Sequence, residues 1–170
     1  MSAPKRAEGV TVFDIDGVLA DVSHRLHHIA RRPKDWSAFF AAAGEDPPLA
    51  EGVQLARAAA AESAVAYLTG RPEWLRKVTR AWLEQHELPP GDLHMRRGGD
   101  YRPARAAKIE RLRDIQRATE VRVVVDDDPA VVAALAEAGF AVLHATWAPT
   151  ASRRGQQATL WAAQETDGRS

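Results

Sequence analysis

The 170-residue sequence contains no cysteine. That excludes disulfides, thiolate metal sites and cysteine nucleophiles. It has no excess charge of either sign, with 23 Lys+Arg against 23 Asp+Glu, so global charge gives no basis for tight non-specific binding to a polyanion. No apolar stretch approaches the roughly 20 residues of a membrane-spanning helix, and the mean hydropathy is −0.35. The opening segment, MSAPKRAEG, is polar and lacks the apolar core of a secretory signal. A cytoplasmic protein with no membrane association is therefore expected. No GxxxxGK[ST] occurs, so no P-loop is expected. Internal repeats and long low-complexity segments are also missing.

What is present alternates. Five short apolar runs read as buried strands at residues 10–15, 64–68, 92–95 (the weakest), 121–125 and 140–145. Helical patterns lie between them, at 51–62, 73–86, 104–118 and 129–138. Pro72 precedes the second of these as a first-turn residue, and Gly139 follows the last as a C-cap. Strands alternating with helices of this length predict an α/β fold. Its centre is a Rossmann-like parallel sheet of about five strands with helices on both faces. Residues 22–50 break the alternation and read as a small cap inserted after the first strand. The predicted organisation is a core over 1–150, with that insertion, and a polar tail over 151–170. One short helix is expected near 156–164, fraying from the body.

Two strands end in carboxylates. The segment VFDIDGVLAD places Asp14 and Asp16 at the first exit, and VVVDDDP places Asp126, Asp127 and Asp128 at another. In parallel sheets, ligands bind beyond the carboxyl ends of the strands, so these exits and Thr69 are expected to meet. Carboxylates at such a place suit a hard, oxygen-seeking cation such as Mg²⁺. An Asp beside it can act as a nucleophile, and a second can do acid–base work. Thr69-Gly70-Arg71 supplies a hydroxyl, a backbone N–H and a guanidinium suited to phosphate oxygens. Lys108 can add an ammonium. Singly, each has a plain structural reading as a turn, a loop or a helix cap.

In this order, FDIDGVLAD, YLTGRP, Lys108 and VVVDDDP resemble the four motifs of the haloacid dehalogenase (HAD) superfamily of phosphohydrolases, over roughly residues 10–147. The closer resemblance is to the phosphatase domain of the polynucleotide kinase 3′-phosphatase family. It rests on Arg25, about ten residues after the first motif, on the hydroxyl-Gly-Arg second motif, and on MRRGGDYRP ahead of Lys108. The resemblance implies that Asp14 attacks phosphorus to form a phosphoaspartate and that Asp16 shuttles the proton. Thr69 and the Ile15 and Asp16 amides would hold phosphoryl oxygens, with Lys108 neutralising charge. Mg²⁺ would be held by Asp14, the Asp16 backbone carbonyl and Asp127, with Asp126 in support and Asp128 capping a helix. Arg25, Arg71, Arg96, Arg97 and Arg102 would contact flanking phosphates. The implied activity is removal of a 3′-phosphate from DNA or RNA ends in repair, with no kinase domain in this sequence. In one respect the chain departs from the pattern. Ala104 stands four positions before Lys108, where relatives often carry an acid, and Asp100 is a candidate substitute.

Other readings stand beside this one. The substrate could instead be a mononucleotide or small phosphometabolite, as overall neutrality suits. The chain could also be a non-catalytic HAD-like nucleic-acid-binding module. Eight basic residues against three acidic ones over 96–117 form either a solvated helix face or a phosphate-attracting surface. His24, His27 and His28 have the spacing of one helical face, open to a zinc site or to cap-surface and substrate contacts. Trp36, Phe39 and Phe40 either pack the cap or stack on a nucleobase. Trp74 and Trp82 are expected in the core, and His94 and His144 read as structural.

Overall fold

The structure, a computed structural model, describes residues 8–149 and 158–167. Five strands form one wholly parallel sheet: β1 (Val10–Phe13), β2 (Ala64–Pro72), β3 (Asp92–Arg96), β4 (Val121–Asp126) and β5 (Val142–His144). Their spatial order is β3-β2-β1-β4-β5. The order reverses at β1, which pairs with β2 on one side and β4 on the other, so the crevice of such a sheet opens beyond these three strands.

Burial on both faces explains why the strands read as unbroken apolar runs. Val10, Val12, Ala66, Leu68 and Val124 point to one core, which Leu112, Val131 and Leu135 complete. Phe13, Val65, Tyr67 and Val125 alternate to the other, with Val53, Ala56, Trp82 and Leu83. The first layer is made by α5 (Ala104–Ala118) and α6 (Pro129–Glu137), the second by α3 (Ala50–Glu62) and α4 (Arg76–Gln85). At the end of α6, Gly139 has φ 93°, and the Phe140 and Gly139 amides bond back to Leu135 and Ala136. This is the glycine C-cap expected from the sequence.

Some boundaries differ. β1 ends at Phe13 rather than at 15, because the chain winds around one carbonyl: the Val18, Leu19 and Ala20 amides all donate to Ile15 O. Gly17 (φ 81°) makes that winding possible. β2 extends past 68 to Pro72, carrying Thr-Gly-Arg within it. The helix expected over 73–86 begins as a 3₁₀ turn, Glu73–Leu75, before α4.

The 22–50 segment is helical in short pieces: a 3₁₀ turn Ser23–Arg25, α1 (His27–Ala30), α2 (Trp36–Ala41) and a 3₁₀ turn Ala42–Glu45. Asp35 caps α2 by accepting the Ala38 amide at 2.9 Å. Over 158–167, the described part of the tail, the expectation of fraying is corrected. Helix α7 (Ala158–Asp167) is docked, with Leu160 and Ala163 buried in the α3–α4 core. Lys34–Asp167 and Arg105–Glu165 ion pairs, at 2.6 and 2.5 Å, tie it to the insertion and to α5. Residues 156 and 157 of the expected tail helix lie outside the described residues.

Candidate active site

Two neighbouring strand exits, those of β1 and β4, bring the predicted acids together. Oxygen atoms of Asp14, Asp126 and Asp127 lie within 4.8 Å of one another, and all three side chains are buried. Lys108, reaching in from α5, donates to Asp14 Oδ2 at 2.9 Å and to Asp126 Oδ2 at 2.6 Å. Asp14 Oδ1 accepts the Ile15 amide at 2.7 Å. Asp126 Oδ1 accepts the Asp128 amide, and Asp128 in turn caps α6 through the Ala130 amide, as expected.

The electrostatics are those of a charge-deficient site. Burial, reinforced by the Asp126 and Asp16 charges, pushes Asp14 up to about 7 despite Lys108. Burial and the same clustered carboxylates raise Asp127 well above its ordinary value, and burial raises Asp128 to about 6. Burial alone would lower Lys108, but Asp126 and Asp14 outweigh it and hold the ammonium firmly charged. Three carboxylates face one ammonium, so the ionised cluster carries uncompensated negative charge. An all-oxygen, anionic, buried donor set fits a hard divalent cation. Asp14, Asp126 and Asp127 are the side chains able to hold it, and the Asp16 carboxylate is not part of that cluster.

Asp16 is held otherwise. Its Oδ1 accepts Arg71 Nη2 at 2.6 Å, Arg71 Nε at 3.0 Å and Arg25 Nη2 at 3.1 Å. Its Oδ2 is buried and makes no hydrogen bond. Burial pushes Asp16 up, but the two guanidiniums prevail and hold it below the usual carboxylate range. Arg25 and Arg71 are both fully buried. Both also donate to Asp46, which accepts Arg25 Nε at 2.7 Å, Arg25 Nη2 at 2.8 Å and Arg71 Nη2 at 2.8 Å, while their Nη1 groups reach Phe39 O and Thr79 Oγ1, each at 3.4 Å. Arg25 also lies 4.2 Å from the Phe39 ring centroid. Both arginines were expected to meet flanking phosphates. Here they stand behind Asp16 instead, since each is engaged by carboxylates.

Beyond the acids, a cleft is lined by Thr69, Gly70, Arg96, Arg102 and Lys108. Thr69 Oγ1 accepts the Arg71 amide at 3.2 Å. Arg96 is largely buried and donates to the Arg102 carbonyl at 2.8 Å. Arg102 is exposed and pairs with Asp100 and Glu110 at 2.9 and 2.6 Å. Asp100 thus binds arginines of its own loop, while Ala104, at the departing position, is buried at the start of α5.

Other expectations change. His24 lies in a 3₁₀ turn rather than in line with His27 and His28, and its Nε2 bonds Asp46 Oδ1 at 2.7 Å. Among the described residues, the one group of His, Asp and Glu with ligand spacing is Asp14-Asp126-Asp127, and the three histidines are not in it. Phe39 and Phe40 are buried packing residues. Trp82 is buried as expected and donates Nε1–H to Asp46 O at 2.8 Å. Trp74 is not in the core: it is 66% exposed, because the 3₁₀ turn ahead of α4 rotates it off that helix's apolar face. His144 Nε2 lies 3.0 Å from the Asp127 carbonyl.

Two site residues escaped the sequence reading. Asp46 lies in a Gly-Glu-Asp-Pro-Pro stretch whose local sequence marks only a turn. Trp161 of α7 donates Nε1–H to Asp127 Oδ2 at 3.0 Å, and nothing in its polar surroundings marked it.

A parallel α/β sheet with acids at the β1 and β4 exits and a lysine between them defines a HAD-type phosphatase. More narrowly, the family model of the polynucleotide kinase PNKP phosphatase domain matches residues 8–147, and the chain belongs to that family. The comparison with curated proteins finds no match. Among solved structures, the chain is similar to one in the Pnkp1/Rnl/Hen1 RNA repair complex, at 22% identity and TM-score 0.69. That likeness covers 86% of this chain and 46% of the other, so this chain spans less than half its length. A hydrolase from Streptococcus pneumoniae TIGR4 is similar at 12% identity and TM-score 0.53, over 86% of this chain and 97% of that one. At these identities the likeness speaks to the fold.

Proposed function

We propose that this protein is a Mg²⁺-dependent phosphomonoesterase that removes 3′-phosphates from polynucleotide ends through a phosphoaspartate on Asp14. The observation that carries the reading is the pairing at the β1 exit. Asp14 is gathered with Asp126, Asp127 and Lys108, while Asp16 two residues on keeps a buried, unbonded Oδ2. The family match and the RNA repair complex among the structural neighbours favour a polynucleotide end as substrate.

An Asp14 carboxylate oxygen attacks phosphorus, and the bond from phosphorus to the leaving 3′ oxygen breaks. Asp16 gives that oxygen its proton through Oδ2. Water then attacks the phosphoaspartate, Asp16 takes up its proton, and inorganic phosphate leaves Asp14. A phosphate carrying negative charge opposes the effect of Arg25 and Arg71 on Asp16 and favours the acid form needed in the first step. Lys108 and Thr69 face the phosphoryl oxygens from the cleft wall. Asp14, Asp126 and Asp127 would hold Mg²⁺, which would supply charge neutralisation to the phosphoryl group.

The test compares hydrolysis of a 3′-phosphorylated oligonucleotide with that of nucleoside monophosphates, each with and without Mg²⁺. Faster turnover of the oligonucleotide supports the reading; turnover of mononucleotides alone overturns the end-repair part of it. Asp14→Asn is expected to abolish hydrolysis of both classes. Full activity in that variant rules out the covalent route.

A further inference from the structure

A second cleft, of about 300 Å³, adjoins the first and shares Gly70, Arg96, Arg97 and Asp100 with it. The volume is at the low end of the range of small-ligand sites. Its character differs from that of the phosphate end. Trp36, Phe40, Trp74 and Tyr101 line it, with Arg96 and Arg97 beside them. Trp74 and Tyr101 are 66% and 59% exposed, among the few large hydrophobic side chains left at the surface. Trp74 is braced at nearly a right angle against Phe40, with ring centroids 5.8 Å apart. Phe40 is in turn stacked with Trp36 at 5.6 Å. Gly98 and Gly99 also line it, and an added Cβ at either would meet nothing within 4 Å. The acid in the lining, Asp100, pairs with Arg102 at 2.9 Å and with Arg96 at 3.7 Å, so arginines outnumber acids in the lining.

We propose that this cleft is a base-stacking subsite: it takes the nucleobase of the 3′-terminal nucleotide, unpaired, against Trp74 and Tyr101. The inference rests on the polynucleotide 3′-phosphatase reading and adds how the end is gripped. The two clefts run in sequence. Thr69 and Lys108 mark the phosphate end of the first, Gly70 and Arg96 stand where the two join, and the aromatic rings lie beyond. A terminal nucleotide spans that path, with phosphate, sugar and base meeting the three parts in turn. Aromatic platforms beside guanidiniums accept any base, because every base has a π-face. Little base-sequence preference is therefore expected. A paired terminal base must leave its stack to enter, so recessed duplex ends are poorer substrates.

The experiment uses the full chain with Mg²⁺ and two 3′-phosphorylated oligodeoxynucleotides identical except that one has an abasic 3′-terminal residue. The base-bearing end is expected to be favoured about tenfold or more in kcat/KM, chiefly through KM. In Trp74→Ala and Tyr101→Ala that ratio is expected to fall towards one. Unchanged melting temperatures would show that the substitutions leave the fold intact. A wild-type ratio near one, or a ratio that survives both substitutions, overturns the stacking inference and leaves the 3′-phosphatase reading standing. No turnover of either oligonucleotide, with mononucleotides still hydrolysed, overturns the 3′-phosphatase reading and the subsite with it.

Discussion

Asp16 sits in a four-membered charge cluster, and that cluster sets what the residue can do. Two buried guanidiniums face two buried carboxylates, Asp16 and Asp46. Asp46 takes up donors that would otherwise converge on Asp16. Removing one partner from a buried ion group costs about 3–5 kcal/mol, because the opposing charge is left without compensation. Asp46→Ala is therefore expected to lower unfolding stability by about that amount in denaturant titrations. Asp46→Asn keeps the shape and loses the charge. Both guanidiniums then act on Asp16 alone, its acid form becomes harder to reach, and the high-pH limb of activity moves to lower pH. An unmoved limb in Asp46→Asn would show that the cluster supports the fold and does not tune the proton donor.

At the scale of elements, the C-terminal helix matters more than its polar sequence suggests. Through Trp161, α7 holds Oδ2 of Asp127, one of the three carboxylates grouped closely enough for a cation. Loss of such an outer partner costs about 10–100-fold in metal affinity. Trp161→Phe keeps the ring and removes the donor, so Mg²⁺ is expected to bind about tenfold more weakly in a thermal-shift titration. Equal affinity would reduce α7 to a cover over the α3–α4 core. The sequence announced the sheet because strands buried on both faces leave unbroken apolar runs, and it announced the acids because strand ends carry ligands. It announced a helix near α7 but not its docking, which depends on buried Leu160 and Ala163 and on two ion pairs. Nor did it place Arg25 and Arg71. Their partners come from segments 9 to 55 residues away in sequence, and no local periodicity reports such a contact. Trp74 was misread because helical spacing was extended through a turn that is 3₁₀.

The molecule as a whole is neutral, yet its charges are sorted: acids are buried at the strand exits, and arginines line the adjoining clefts. That sorting gives the metal-free protein a definite pH response. Asp14 and Asp128, at about 7 and about 6, bind protons more tightly when folded than at their ordinary 3.8, and Asp127 shifts the same way. Between those limits the folded state holds more protons than the unfolded chain, so stability falls as pH rises through the window. Asp16, shifted down, adds stability above its ordinary value and loses it only in stronger acid. His94, lowered by burial and Arg111, opposes the trend near its ordinary 6.5, as one group against three. Metal-free protein is thus expected to melt at higher temperature near about pH 5 than near about pH 7.5. Mg²⁺ reverses the balance, since it binds the ionised carboxylates and competes with their protons. The rise in melting temperature produced by saturating Mg²⁺ should therefore grow from the lower pH to the higher. A Mg²⁺ effect of equal size at both would mean that the cation is held somewhere other than Asp14, Asp126 and Asp127.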